Sequence, residues 1–295
     1  VVRQPIFRWQ VQVGESSLEA LLERSGHLAA LVEGRTFVDN LRVNSRLSLR
    51  PDQVVEVYAA KPHPEEPEIL AEKAGILAVS KPVGWSTEPD RAGENSVVTW
   101  IAEKRGIPRA EVFAGSRLDS PVSGVLLLAV EPKAIKFLSQ AKQAGGLTRS
   151  YLALLGGKPV AAEGTWRLQV HNKPAESHFS LLRSCSHRAF AHEGVSLVRL
   201  TPVTGRMHQL RIHSAAAGAP ILGDVRNGGV RRFTQPNGEV EELARLMLHA
   251  SAVSLLFRPG EPFSACAPVP LEMQRIWRAL GGLDQDFLAE SRPQT

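Results

Sequence analysis

The sequence predicts an α+β protein: a large unit on a mixed, mostly antiparallel central sheet, preceded by a small α+β module. Three observations predict it. An unbroken apolar run from Val125 to Val130 reads as a buried strand. Strand-like and helix-like segments alternate irregularly, without the rhythm of βαβ units. The segment KPHPEEPE, residues 61–68, places three prolines among eight residues beside several charges, which reads as a linker. The expected division is therefore 1–60, a linker over 61–68, and 69–295. A length of 295 residues suits about two domains.

In the small module, FRWQVQV alternates like a strand. Ser16 and Ser17 precede SLEALLERSG, whose leucines share a helical face and which stops at Gly26. TFVDNLRVN and VVEVYAA read as short strands. This order resembles the S4-like RNA-binding module. Residues 1–60 carry seven Arg and seven acids, so a structural or protein-contacting role competes with RNA binding there.

In the large unit, GILAVSKP reads as a strand running into Lys81 and Pro82. ENSVVTWIAEKRG reads as a helix starting near Asn95 or Ser96 and ending at Gly106. VSGVLLLAV is the buried strand, PKAIKFLSQAKQAGG an amphipathic helix, and RSYLALLGG and SLVRLTPVTG two more strands. MHQLRIHSAAAGAP has helical spacing, closed by Gly218 and Pro220.

Bulk properties narrow the function. Residues 61–72 have a net charge of −3 and residues 73–295 a net charge of +8. The larger part is the basic part, a modest pointer to a polyanion. No stretch approaches the ~20 apolar residues of a membrane span, and VVRQPIFRWQ lacks the apolar core of a signal peptide. Cys185 and Cys266 form neither a disulfide framework nor a zinc motif. A cytoplasmic protein with no membrane partner is the expectation.

Asp119, in SRLDSPVSGVLLLA, is the residue that asks for an explanation. A carboxylate at the mouth of a core strand is either a turn residue, which Asp-Ser-Pro suits, or a catalytic acid held by a cation such as Arg117. The residues alone favour the turn. In TGRMHQLRIHS, Arg206, His208, Arg211 and His213 fall within eight residues. His208 and Arg211 share a helical face, as do Gln209 and His213. The two His are five apart with no Glu between them, so no metal is expected. Clustered Arg suits phosphate or carboxylate recognition. Tyr151 opens an apolar strand and is either a core tyrosine or a stacking platform.

Together these segments resemble the RluA-type pseudouridine synthases over most of residues 69–295. KPVGWST resembles the family's K-P-x-G segment, and SRLDSPVSGVLLLA its H-R-L-D-x-x-T-S-G signature with the following strand. RSYLALLGG resembles K-x-Y-x-A-x-x-x-G, and TGRMHQLRIHSAAAGAPILGD resembles T-G-R-T-H-Q-[IL]-R-x-H through P-I-x-G-D. LMLHASAVSLLF and APVPLEM resemble the closing L-H-A and P-x-P segments. The chain departs from the pattern at Ser116 and Val122, which replace a His and a Thr, after KPVG, where the His-Pro is missing, and at Val225-Arg226-Asn227.

The resemblance implies the pseudouridine synthase fold and the isomerisation of uridine in structured RNA, ribosomal RNA first and transfer RNA next, with no cofactor or metal. Asp119 would be the essential acid, as nucleophile or base, with Arg211 as its partner. Tyr151 would stack on the uracil and assist at C5, and Leu248 would be an apolar wall. Arg117 would fill the gap left by the flipped base. Arg206, His208, Gln209 and Lys81 would also contact substrate. A monomer is expected. Three readings compete: a non-catalytic RNA-binding relative, suggested by Ser116 and Val122; a glycoside hydrolase in which Asp224 faces Asp119 across the pocket; and a purely structural role for these motifs, which their ordered match opposes.

Overall fold

Local signals account for the small unit, which spans residues 1–64. The computed structural model describes residues 5–32, 36–43, 45–58, 65–89, 96–190, 194–258 and 261–290. Phe7–Gln10 (β1) is followed by Leu18–Arg24 (α1), where the Ser17 side chain accepts a hydrogen bond from the Ala20 N–H. That cap satisfies an otherwise orphaned donor. Leu18, Leu21 and Leu22 form the buried face of α1. A single turn, Ala29–Val32 (α2), comes next.

TFVDNLRVN is not one strand but a hairpin of Thr36–Val38 (β2) and Leu41–Val43 (β3). Asp39 and Asn40 turn it at φ 50° and 66°. A two-residue hairpin needs these left-handed conformations, which Asp and Asn tolerate best after Gly. Val54–Val57 (β4) completes an antiparallel sheet in the order β1-β4-β2-β3. Val55 and Val57 meet Val11, Leu18, Leu22 and Val38 in a core of this unit's own. Asn44, residues 59–60 of VVEVYAA and linker residues 61–64 lie outside the described residues.

The large unit spans residues 65–295. Glu68, expected in the linker, opens Glu68–Lys73 (β5), which pairs with Ile76–Lys81 (β6). Val97–Arg105 (α3) begins at Ser96, whose side chain accepts from the Thr99 N–H, and ends at Gly106 with φ 64°. Asn95, the other candidate start, lies outside the described residues. Then come Phe113–Ala114 (β7), Ser123–Ala129 (β8), Pro132–Gln143 (α4) and Leu147–Leu155 (β9). Glu163–Arg167 (β10), Glu176–Cys185 (β11) and Val195–Pro202 (β12) lead to Gln209–Ala216 (α5). Arg232–Thr234 (β13) and Val240–Glu242 (β14) form a separate ribbon. Leu248–Arg258 (β15), Glu261–Cys266 (β16) and Leu271–Ala279 (α6) complete the unit.

Ten strands form one sheet, in the order β10-β11-β12-β9-β15-β8-β6-β5, with β16 also on β15 and β7 also on β8. Side chains of β6 and β8 alternate between two cores: Leu77, Val79, Leu126 and Leu128 enter one, and Ile76, Ala78, Val125 and Leu127 the other. Burial on both faces is why the sequence of β8 is apolar without alternation.

All pairings in this sheet are antiparallel except β8 with β15, which is parallel and matches His249 to Ser123 and Ala250 to Gly124. That short seam joins the two antiparallel halves of the sheet. Gly124 makes it possible. Its φ is 119°, and a Cβ there would lie 2.2 Å from the Ala250 carbonyl oxygen. No side chain tolerates that approach.

Candidate active site

Asp119 sits four residues before β8 in a turn closed by a hydrogen bond from the Val122 N–H to its own carbonyl. The segment after β6 cradles this turn on both sides. Thr87 Oγ1 accepts from the Leu118 N–H at 2.9 Å and donates to the Leu118 carbonyl at 3.2 Å. The Gly84 N–H and the Lys81 ammonium both donate to the Ser120 carbonyl. KPVGWST is therefore the seat of the Asp119 turn.

Lys81 corrects an expectation. It is fully buried, and its Nζ donates to the carbonyls of Pro82, Trp85 and Ser120 at 3.0, 2.8 and 3.3 Å. It holds backbone together beneath the turn and does not line the cavity. Burial pushes its pKa down to about 7, against a smaller opposing pull from Asp119.

The Asp119 side chain opens onto a cavity of about 740 Å³. Ser116, Arg117, Tyr151, Arg206, His208 and Leu248 are among the residues that line it. Tyr151 on β9 pairs with Ala250 on β15, and Leu248 pairs with Ala153, so the two apolar walls lie on one sheet face. Burial holds the Tyr151 phenol above its usual range. Ser116 and Val122 are both buried at the cavity's edge.

Arg211 organises the charges. Its Nε and Nη2 donate to Asp224 at 2.8 and 2.7 Å, a forked pair, and its Nη1 donates to Asp119 Oδ2 at 3.2 Å. Asn227 adds a hydrogen bond to Asp224 at 2.8 Å. Burial alone would raise Asp224, but the donors on it win and hold its carboxyl below the usual range. The fork to Asp224 in turn raises Arg211. Asp224 is buried behind Arg211 and does not line the cavity. It aims the guanidinium and does not face Asp119 across the pocket, which removes the arrangement a glycoside hydrolase needs.

His208 and Gln209 also depart from expectation. The helix α5 starts at Gln209, not at Met207, because His208 stands at φ 57°. That turn brings His208 Nε2 to 3.5 Å from Asp119 Oδ2. Oδ1 is left without a partner among the described residues. The Gln209 amide is spent internally: its oxygen accepts from Thr204 Oγ1 and the Arg206 N–H, and its nitrogen donates to the Glu176 carbonyl and Ser177 Oγ. It fixes the loop 204–206 against β11 and has no donor left for substrate. Arg206 Nε donates to the Pro174 carbonyl from an exposed position. Arg117 is exposed at the mouth, 3.8 Å from Glu88.

Sequence reasoning missed two features. Behind the seam, Ser123 Oγ contacts His249 Nδ1 at 2.9 Å and accepts from Arg245 Nη1 at 2.9 Å, while Arg245 Nε donates to Glu272 at 3.1 Å. Burial drives His249 down to about 3, so it is neutral. Its Nε2 faces the Ala267 carbonyl at 3.4 Å and so carries the proton, which leaves Nδ1 to accept from Ser123. Ser123, Arg245 and His249 are 5%, 6% and 1% exposed, and nothing in the sequence brings them together before the strands are paired. The second feature is Lys142 and Arg149, which also line the cavity. Among the described residues no group of three or more His, Cys, Asp or Glu side chains could hold a metal ion.

A family model described as RNA pseudouridylate synthase matches residues 75–216. An uncharacterized RNA pseudouridine synthase of Zymomonas mobilis is 32% identical over 68% of this chain and 93% of its own length. The chain belongs to the RNA pseudouridine synthase family. The large-subunit ribosomal pseudouridine synthase C of Salmonella typhi is 32% identical over 80% of this chain and 76% of its own. The dual-specificity RNA pseudouridine synthase of Escherichia coli is 32% identical over 65% and 89%. Among solved structures, human RNA pseudouridylate synthase domain containing 1 has the same fold, with a TM-score of 0.54, 21% identity, and coverage of 76% of this chain and 98% of that one. As a family member the chain is an RNA pseudouridine synthase, an isomerase that converts uridine in RNA to pseudouridine.

Proposed function

We propose that the target is ribosomal RNA and that Asp119 carries the reaction. The observation behind the second point is the Arg211–Asp119 contact at 3.2 Å, inside a cavity walled by Tyr151 and Leu248. The reaction breaks the N1–C1′ bond, turns the uracil, joins C5 to C1′, gives up the C5 proton to solvent and takes up a proton at the freed N1. It needs a carboxylate that remains charged after RNA displaces water. Burying an unpaired carboxylate costs several kcal/mol. Arg211, itself locked by Asp224, offsets that cost with a fixed partner. Both Arg211 and His208 engage Oδ2, so Oδ1 is the oxygen that acts on the sugar. The Tyr151 ring packs on the extruded base, with Leu248 beside it on the same sheet face. Lys81, Thr87 and Gln209 act as positioning residues.

Ribosomal RNA is favoured because large-subunit synthases C and D are among the relatives. The N-terminal unit is proposed as an S4-like accessory module. Incubating the protein with ribosomal and transfer RNA pools carrying tritium at uridine C5 tests the reading. Release from ribosomal RNA alone is expected. Release from transfer RNA alone overturns the target, and release from neither overturns the activity.

A further inference from the structure

Three cations that line the cavity have no carboxylate within ion-pair distance among the described residues: Lys142, in the last turn of α4, Arg149, on β9, and Arg206, whose Nε is already taken by the Pro174 carbonyl. Arg149 reaches from β9 to the loop 204–206. Its Nη2 makes one long hydrogen bond, 3.5 Å, to the Thr204 carbonyl. Its Nε is buried and has no hydrogen-bond partner. Gly205 lies against the guanidinium, with a would-be Cβ 3.4 Å from Nη1. Burial, then the charges of Arg149 and Arg117, push Lys142 below the usual lysine range, with Glu88 opposing. Like charges collected around a pocket repel until an anion arrives.

We propose that Arg149 and Lys142 form a phosphate-binding subsite that holds the RNA backbone phosphate beside the extruded uridine. This rests on the proposed reading of the cavity as the uridine site. Arg149 and Tyr151 are two residues apart on one strand, so they share a face and stand about 7 Å apart along it. A base and its own phosphate are separated by a distance of that order. A base on Tyr151 therefore brings its phosphate to Arg149. Phosphate oxygens match both the unused Nε donor and the planar fork of the guanidinium. Lys142 adds a point charge from the facing helix. The subsite would read RNA backbone, with no preference for sequence.

The test uses the full chain with Arg149→Met, Arg149→Lys and Lys142→Ala, measuring kcat and KM for pseudouridine formation at several salt concentrations. Arg149→Met should raise KM about 10-fold at low salt, the worth of a charged hydrogen bond, with kcat within about 3-fold. The salt slope of binding should flatten by about 0.7 for each cation removed. Arg149→Lys should keep the slope and lose part of the affinity. A fall in kcat with KM and salt slope unchanged would overturn the subsite and leave Arg149 as a brace for the 204–206 loop. The same slopes, read by direct RNA binding in an Asp119→Asn background, separate this proposal from the chemistry. A wild-type chain that makes no pseudouridine, with a salt slope that still flattens on Arg149→Met, defeats the reaction and keeps the subsite.

Discussion

Replacing Asp224 with Asn should disable the protein in two measurable ways. The carboxylate is nearly inaccessible, and it takes two of the three hydrogen bonds seen from Arg211 to the site acids. Asn keeps the shape and one acceptor but removes the charge. Taking one partner from a buried ion pair costs about 3–5 kcal/mol, and the retained acceptor favours the lower end. At roughly 2–4 °C per kcal/mol for a unit of this size, Tm should fall by roughly 6–12 °C. Arg211 would also lose the fork that aims Nη1 at Asp119. Misplacing a catalytic partner by about 1 Å costs about 100-fold in rate, so kcat should fall by about that factor. The pH dependence has a definite sign. The folded-state pKa of Asp224 lies below its ordinary value of 3.8. Its stabilisation is therefore complete at neutral pH and is lost as pH falls through the folded value. The Tm gap between wild type and variant should be full at pH 7 and narrow only below about 3.8. A Tm within about 2 °C of wild type, or an unchanged kcat, would refute the idea that Asp224 aims Arg211.

Other predictions concern the seam and its supports. Gly124→Ala should cost more than about 3 kcal/mol, from backbone clash and positive φ together, with Tm read by calorimetry. Gly218→Ala is the control: its φ is 78° but no atom lies within 4 Å of a Cβ, so only the smaller conformational strain should appear. For Lys81→Met, loss of three carbonyl bonds should lower kcat by releasing the Asp119 turn. The depressed Lys81 pKa makes wild-type stability rise between about pH 7 and 10.5, where the unfolded chain binds the extra proton. Tm profiles should show this rise flattened in Lys81→Met, and an unchanged rise would assign it to another group.

How much of this was legible depended on whether the cause was local. The strand β8, the helix α4, and the helix α3 with its caps Ser96 and Gly106 follow from local patterning and could be read directly. The Asp119–Arg211 pair joins residues 92 apart, and only the family motifs pointed to it. Lys81 was misplaced because the K-P-x-G motif marks a residue near the site without saying which way its side chain runs. Three carbonyls from two segments make its burial tolerable, and no sequence pattern shows them. Gln209 was misplaced for a similar reason: its amide is satisfied by residues 3 to 33 positions away. The strands β10 and β11 carry mixed burial at the sheet edge, so their periodicity is weak. The parallel β8–β15 seam is a long-range pairing with no local signature beyond Gly124. Asp224 looked like a second pocket acid until its fork to Arg211 turned it away.

The most direct measurement compares wild type with Asp119→Asn for tritium release from C5-labelled ribosomal RNA, with RNA binding measured in parallel. The account predicts release by the wild type, none above background by the variant, and binding within a few-fold for both. Pseudouridine formation by Asp119→Asn at a rate near wild type would contradict it, because the carboxylate that Arg211 holds would then play no part in the chemistry.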